Sequence, residues 1–145
     1  MATVRDLLTV KGTDVAAVSP ETTVYDAAVT MNERRIGSVV VQRDGRLCGI
    51  FTERDILRRI VAQRRDAADT RVEEVMTTEL VCCRLHTPLE EARGTMKNRR
   101  IRHLPVVDDD DRLLGLVSIG DLNAHEAHSQ EQTIHLLQEY ICGHV

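Results

Sequence analysis

Most of this chain is written twice, and that repetition constrains its fold more than any single motif. Compare TVYDAAVTMNERRIGSVVV (residues 23–41) with PLEEARGTMKNRRIRHLPV (residues 88–106). Ala27, Thr30, Met31, Arg34, Arg35, Ile36 and Val41 recur 65 positions later as Ala92, Thr95, Met96, Arg99, Arg100, Ile101 and Val106. After a one-residue insertion the offset is 66, and Arg46, Leu47, Gly49 and Asp55 recur as Arg112, Leu113, Gly115 and Asp121. The leading segments VRDLLT (4–9) and VEEVMT (72–77) also match. Matches that keep their order mark a duplication. A unit of about 65 residues buries a small core and is marginal alone. The copies, divided as residues 1–66 and 67–145, are therefore expected to pack together as one module with approximate twofold symmetry.

Each copy carries the same local signals. A short apolar strand, VAAV (15–18) or LVCC (80–83), precedes a helix expected over residues 24–34 or 89–99. Ala27 and Met31, like Ala92 and Met96, stand at i, i+4 on one helical face. Two strands follow, SVVVQ and LCGIF in the first copy, HLPVV and LLGLV in the second. The polar turns RDGR and DDDDR join them. A second helix begins at Thr52 or Ser118. The expected order is β-α-β-β-α, twice: an α/β (α+β) module with a C-terminal helix on the second copy.

The second helix of each copy opens on Thr or Ser followed three residues later by Asp: Thr52 and Asp55, Ser118 and Asp121. This is a capping-box pattern, in which hydroxyl and acid satisfy N–H groups of the first turn. The first helices carry the same pattern at Thr23 and Asp26 and at Thr87 and Glu90. Context separates the two sets. Thr52 and Ser118 follow a strand directly, so their helix N-termini gather at a sheet edge, where free N–H groups favour anions. A carboxylate there can also accept from two adjacent hydroxyls, as on a ribose. Residue pattern alone leaves both readings, cap and ligand site, open.

Composition removes several classes. The net charge of −4, with 2% aromatic residues and no Trp, argues against nucleic-acid binding, which draws on basic surface and aromatic stacking. No apolar run approaches the roughly 20 residues of a membrane span. The opening MATVRDLLTV carries no long apolar stretch of a secretory signal, so a cytoplasmic protein is expected. None of the four cysteines forms a C-x-x-C pair. Cys48, Cys82 and Cys83 lie in strand-like runs and read as small core residues. Cys142, near the C-terminus, reads as exposed, with a thiol-based redox role as a further alternative.

The segments IGSVVVQRDGRLCGIFTERDIL and IRHLPVVDDDDRLLGLVSIGDL resemble the signature of cystathionine β-synthase (CBS) domains, once per copy, and the whole chain resembles a stand-alone bacterial CBS pair, or Bateman module. The resemblance implies a regulatory module without catalytic machinery or obligatory cofactor. It would bind an adenosine-containing ligand (AMP, ADP, ATP, NAD(H) or S-adenosylmethionine) in the cleft between the copies. It implies crossed sites. Thr52 and Asp55 would hold ribose and phosphate, with Val81, Cys82, Ile101, Arg102 and His103 of the other copy against the ligand. Ser118 and Asp121 would work with Ala16, Ala17, Ile36, Gly37 and Ser38. Arg54 is a further phosphate candidate, or a solvated surface residue. Copy one has no basic residue at 37 or 38, and Gly120 stands where copy one has Arg54, so the second site is expected to carry less phosphate charge of its own, and either to prefer a different nucleotide or to borrow Arg102 or His103. The resemblance also implies a homodimer and an unidentified regulated protein; the alternative is a dimerisation scaffold whose Asp residues are only caps.

Other constellations carry less. In DDDD (108–111) the EF-hand register fails, since its sixth position is Leu113 and its twelfth Ile119; a solvated turn is expected. HEAH (125–128) sets His125 and His128 at i, i+3, where a zincin helix needs i, i+4, so no metal site is expected. No Walker loop, G-x-G-x-x-G or G-x-S-x-G occurs. Ile134, Leu137 and Ile141 form an apolar helix stripe, either packed on its own module or available to a second copy.

Overall fold

The computed structural model describes residues 1–142, except the side chains of Tyr140 and Cys142. The redox reading of the Cys142 thiol thus lies outside the described residues. The helices expected in each repeat form at the expected bounds: α2 (Val24–Arg34), and, in repeat two, α5 (Leu89–Arg99). Both end at an Arg in the left-handed region, Arg35 at φ 55° and Arg100 at φ 55°. The duplicated Arg-Arg thus marks a helix stop that usually calls for Gly.

In repeat one, β1 (Ala17–Val18) pairs parallel to β2 (Ser38–Arg43), which pairs antiparallel to β3 (Arg46–Thr52). Asp44 and Gly45 both have positive φ in the hairpin turn, the geometry that suits the right-handed twist of the strands. In repeat two, β4 (His103–Val107) pairs antiparallel to β5 (Leu113–Ser118). The first strand expected there, LVCC, is reduced to one bridge from Cys83 to Val106. Its pleat buries Cys83 and exposes Cys82. The expectation that Cys82 is a core residue is therefore wrong: one lone bridge puts neighbouring side chains on opposite faces. Cys48 is half-buried. The hairpins of the two repeats meet where Arg112 bridges Arg46 and the Leu113 N–H donates to the Gly45 carbonyl at 3.2 Å.

Two helices escape the sequence reading, and they organise the molecule. The leading segments fold as α1 (Val4–Lys11) and α4 (Val72–Val75), and each docks on the opposite repeat. Val4, Leu7 and Leu8 are buried with Ala92, Met96, Leu104 and Val117 of repeat two. Val72 and Val75 are buried with Val24, Ala27, Val39 and Phe51 of repeat one. The backbone repeats the exchange: Val4 N–H donates to the Thr87 carbonyl at 2.9 Å, and Val72 N–H to the Thr22 carbonyl at 2.8 Å. Neither core is complete without the exchanged helix, as expected for units this small.

The duplicated Gly49 and Gly115 mark the same junctions. A Cβ at Gly49 would lie 2.7 Å from Met76 Sδ and 2.9 Å from the Thr77 carbonyl oxygen; one at Gly115 would lie 3.1 Å from two Leu8 carbons. Glycine lets each incoming segment approach its strand. The second helix of repeat one begins as α3 (Glu53–Asp55) and continues as a π-helix (Ile56–Val61). That of repeat two, α6 (Ile119–Cys142), continues without a break into the C-terminal helix. Along α6, Ile134, Leu137 and Ile141 are exposed.

Candidate functional site

The junctions after β3 and β5 are built alike. Thr52 and Ser118 end their strands, and the next N–H donates back to the preceding turn: Glu53 to the Gly37 carbonyl at 3.0 Å, Ile119 to the Arg102 carbonyl at 2.9 Å. The Asp55 N–H donates to Thr52 Oγ1 at 3.3 Å, and Asp55 Oδ2 accepts from the Thr52 N–H at 3.0 Å. In repeat two the Asp121 N–H donates to Ser118 Oγ at 3.0 Å, and Asp121 Oδ2 accepts from the Ser118 N–H at 2.9 Å. The cap reading is thus satisfied in both copies. A carboxylate has about four acceptor positions, so capping does not exhaust either group.

The remaining capacity is used differently. Asp55 is buried, at 6% exposure, and accepts from Thr77 Oγ1 at 3.2 Å, with Arg59 Nε 3.8 Å away. Asp121 is more open and accepts from Lys11 Nζ at 2.5 Å. Burial alone would raise the Asp121 carboxyl; the bonds from Lys11 and Ser118 outweigh it and hold the group below the usual carboxylate range. The partners come from α1 and from the segment after α4, so the exchanged elements complete both junctions.

Two cavities open here. The first, of about 470 Å³, joins Thr52, Arg54 and Asp55 of repeat one to Val81, Ile101, Arg102 and His103 of repeat two. The second, of about 500 Å³, joins Ser118 and Asp121 to Ala16, Ile36, Gly37 and Ser38. Both fall in the range typical of small-molecule pockets. The structure brings the expected residues together crosswise, apart from two. Cys82 lies outside the first lining because its side chain turns to solvent. Ala17 lies outside the second; it sits in β1 opposite Val40.

Sequence reasoning missed residues that the exchange delivers, Thr77, Glu79 and Leu80 in the first cavity and Lys11 in the second, and also Asp14 and, at the end of α2, Arg34 in the second. The second cavity shares His103 with the first, as expected of a borrowed residue, and adds Lys11 and Arg34, which the expectation did not include. The match between VRDLLT and VEEVMT was the available signal, but it does not say which repeat each segment joins. His103 lines both cavities. Burial lowers the affinity of its imidazole for protons, Lys11 and Arg102 act in the same direction, and Asp121 and Glu53 oppose them.

Among the described residues no cluster of three or more His, Cys, Asp or Glu side chains is arranged to hold a metal ion, and no helix is long and apolar enough to cross a membrane. In the acidic turn, Asp108 Oδ1 accepts from the N–H groups of Asp110 and Arg112 at 2.8 and 2.9 Å.

A family model for the CBS domain matches residues 4–62 and again 72–127. The CBS domain-containing protein YhcV of Bacillus subtilis is 41% identical over 130 residues, which is 90% of this chain and 89% of that protein. The crystal structure of the CBS-domain containing protein ATU1752 from Agrobacterium tumefaciens superposes with a TM-score of 0.80 at 36% identity, covering 86% of this chain and 99% of that one. CBS domain protein PAE2072 from Pyrobaculum aerophilum, solved in complex with AMP, has a TM-score of 0.74 at 26% identity, covering 83% of this chain and 89% of that one. The chain belongs to the CBS domain family, with two copies of the domain in tandem.

Proposed function

We propose that this chain is a ligand-sensing regulatory module that binds AMP, ADP, ATP or NAD(H) in its two clefts and reports the energy or redox state of the cell. It is a CBS-domain pair and not an enzyme. The observation that carries the reading is the crossed construction of the cavities, in which the Asp of one repeat faces the helix-to-strand turn of the other. Asp55 and Asp121 can accept from the paired hydroxyls of a ribose. In the first cavity Ile50, Val81, Ile101 and Pro105 supply an apolar wall suited to a purine face, and Arg54 and Arg102 supply charge for phosphate. The N–H groups of Arg54 and Gly120, second in their helices, have no acceptor among the described residues, which suits an anion. The AMP complex of the Pyrobaculum protein supports an adenosine ligand; S-adenosylmethionine is the non-phosphorylated competitor.

Calorimetry and thermal unfolding with AMP, ADP, ATP, NADH and S-adenosylmethionine test this. A ligand at a hundred times its Kd adds about 2.7 kcal/mol, about 5–10 °C in Tm for a chain of this size. If none of the five moves the Tm, the scaffold reading replaces this one.

The reading extends to a homodimer in the cytoplasm. The exposed stripe of Ile134, Leu137 and Ile141 on α6 favours a second copy as its cover, and the free thiols of Cys48, Cys82 and Cys83 suit a reducing compartment. Sedimentation should give twice the 16.3 kDa chain mass, and half of that for Leu137→Glu.

A further inference from the structure

The two clefts differ in sign at one place in the repeat. In the register that matches VRDLLT to VEEVMT, Lys11 corresponds to Glu79. Lys11 lines the second cleft and Glu79 the first, each carried there by the exchange of leading segments. Lys11 Nζ donates to Asp121 Oδ2 at 2.5 Å and to the Leu116 carbonyl at 2.6 Å. An ammonium has three N–H donors, so one is left for a ligand. Glu79 makes no ion pair among the described residues. The surrounding charge follows the same sense. The first cleft sets Glu53, Asp55 and Glu79 against Arg54 and Arg102. The second balances Asp14 and Asp121 with Lys11 and Arg34.

We propose that Lys11 and Glu79 set the ligand charge that each cleft accepts: the Lys11 cleft selects nucleotides with the more anionic phosphate chain, and the Glu79 cleft disfavours added phosphates. The proposal rests on the adenosine-ligand reading above. A ribose on Asp121 brings its phosphates near an ammonium already anchored beside that carboxylate. A ribose on Asp55 brings them into a cleft where the Glu79 carboxylate, in no ion pair among the described residues, opposes the attraction of Arg54 and Arg102. In a partly desolvated cleft one such charge shifts affinity by about tenfold or more.

The test is calorimetric titration with ATP and with adenosine, which share base and ribose and differ in charge. An Asp55→Asn background isolates the second cleft, and Asp121→Asn the first. In the Asp55→Asn protein, Lys11→Met should lower the ATP-over-adenosine preference about tenfold, and Lys11→Arg should preserve it. In the Asp121→Asn protein, Glu79→Gln should raise that preference by a similar factor. Circular dichroism confirms folding. If Lys11→Met does not fold, Lys11→Gln in the same background takes its place, and it must lower the ATP-over-adenosine preference by a similar factor. Adenosine binding with a charge preference that ignores both substitutions overturns the proposal and leaves the adenosine reading standing. Failure of both adenosine and ATP to bind the unmodified protein overturns the reading and the proposal together.

Discussion

Replacing Gly49 by Ala should destabilise the protein far more than the same change at Gly115, although the two glycines hold the same place in the repeat. At Gly49 the added carbon meets Met76 Sδ at 2.7 Å, Met76 Cγ at 3.0 Å and the Thr77 carbonyl oxygen at 2.9 Å. That carbonyl is fixed: it accepts from the Ile50 N–H at 3.0 Å, while the Thr77 N–H donates to the Ile50 carbonyl at 2.9 Å. Relief requires backbone movement that strains this bridge. Overpacking costs about 1–3 kcal/mol and a weakened hydrogen bond about 1 kcal/mol more. The reduced freedom of the unfolded chain returns about 0.4–1 kcal/mol. The net loss is about 1–3.6 kcal/mol, centred at about 2 kcal/mol, or about 4–8 °C in Tm at that centre for a chain of this length. At Gly115 the obstacles are Leu8 side-chain carbons at 3.1 Å, which a small rotation relieves. Gly115→Ala should therefore stay within about 1 kcal/mol of the parent. Urea unfolding with matched m-values measures both. Equal losses at the two sites, or a neutral Gly49→Ala, would refute the claim that the segment after α4 is pinned to β3 by its backbone.

Asp55→Ala should lower stability by about 1–3 kcal/mol with no ligand present, because the Thr52 N–H loses its acceptor and Thr77 Oγ1 a buried partner; denaturant unfolding of the ligand-free protein measures this, and a loss below about 0.5 kcal/mol, the range of an ordinary surface substitution, would be too small for such a cap. His103 gives a pH dependence of defined sign. Its folded-state proton affinity is depressed below the ordinary value of 6.5, so the folded chain binds fewer protons than the unfolded one as pH falls. The contribution of the neutral ring is full above that value and declines as pH drops toward the lowered one. Stability should therefore fall between about pH 7 and 5, and His103→Gln should flatten that part of the profile in a series of urea melts. Cys83, buried and with its thiol pushed up to about 12 by burial, should resist thiol reagents in the native state and react on unfolding; native-state labelling of Cys83 would contradict the packing.

The sequence by itself determined the duplication, the bounds of α2 and α5, the hairpins and the two strand-to-helix junctions. Each is a local matter: helical spacing of Ala27 and Met31, a turn at Asp44-Gly45, a hydroxyl three residues before an acid. It also paired Asp55 with the other repeat's Ile101–His103 turn and Asp121 with Ile36–Ser38, because a familiar doubled motif was present. Only the tertiary structure decided which core receives α1 and which receives α4. The leading segments are near copies, and either core offers an apolar bed, so their pattern does not name the partner. That undetermined choice brings Lys11 to Asp121 and Thr77 to Asp55. It also explains why Gly49 must be small while Gly115 has only a side chain against it, and it turns two matching halves into two unequal clefts. Helix propensity and turn chemistry act within a few residues, whereas the exchange is settled by burying Val4, Leu7, Leu8, Val72 and Val75 against surfaces far away in the chain.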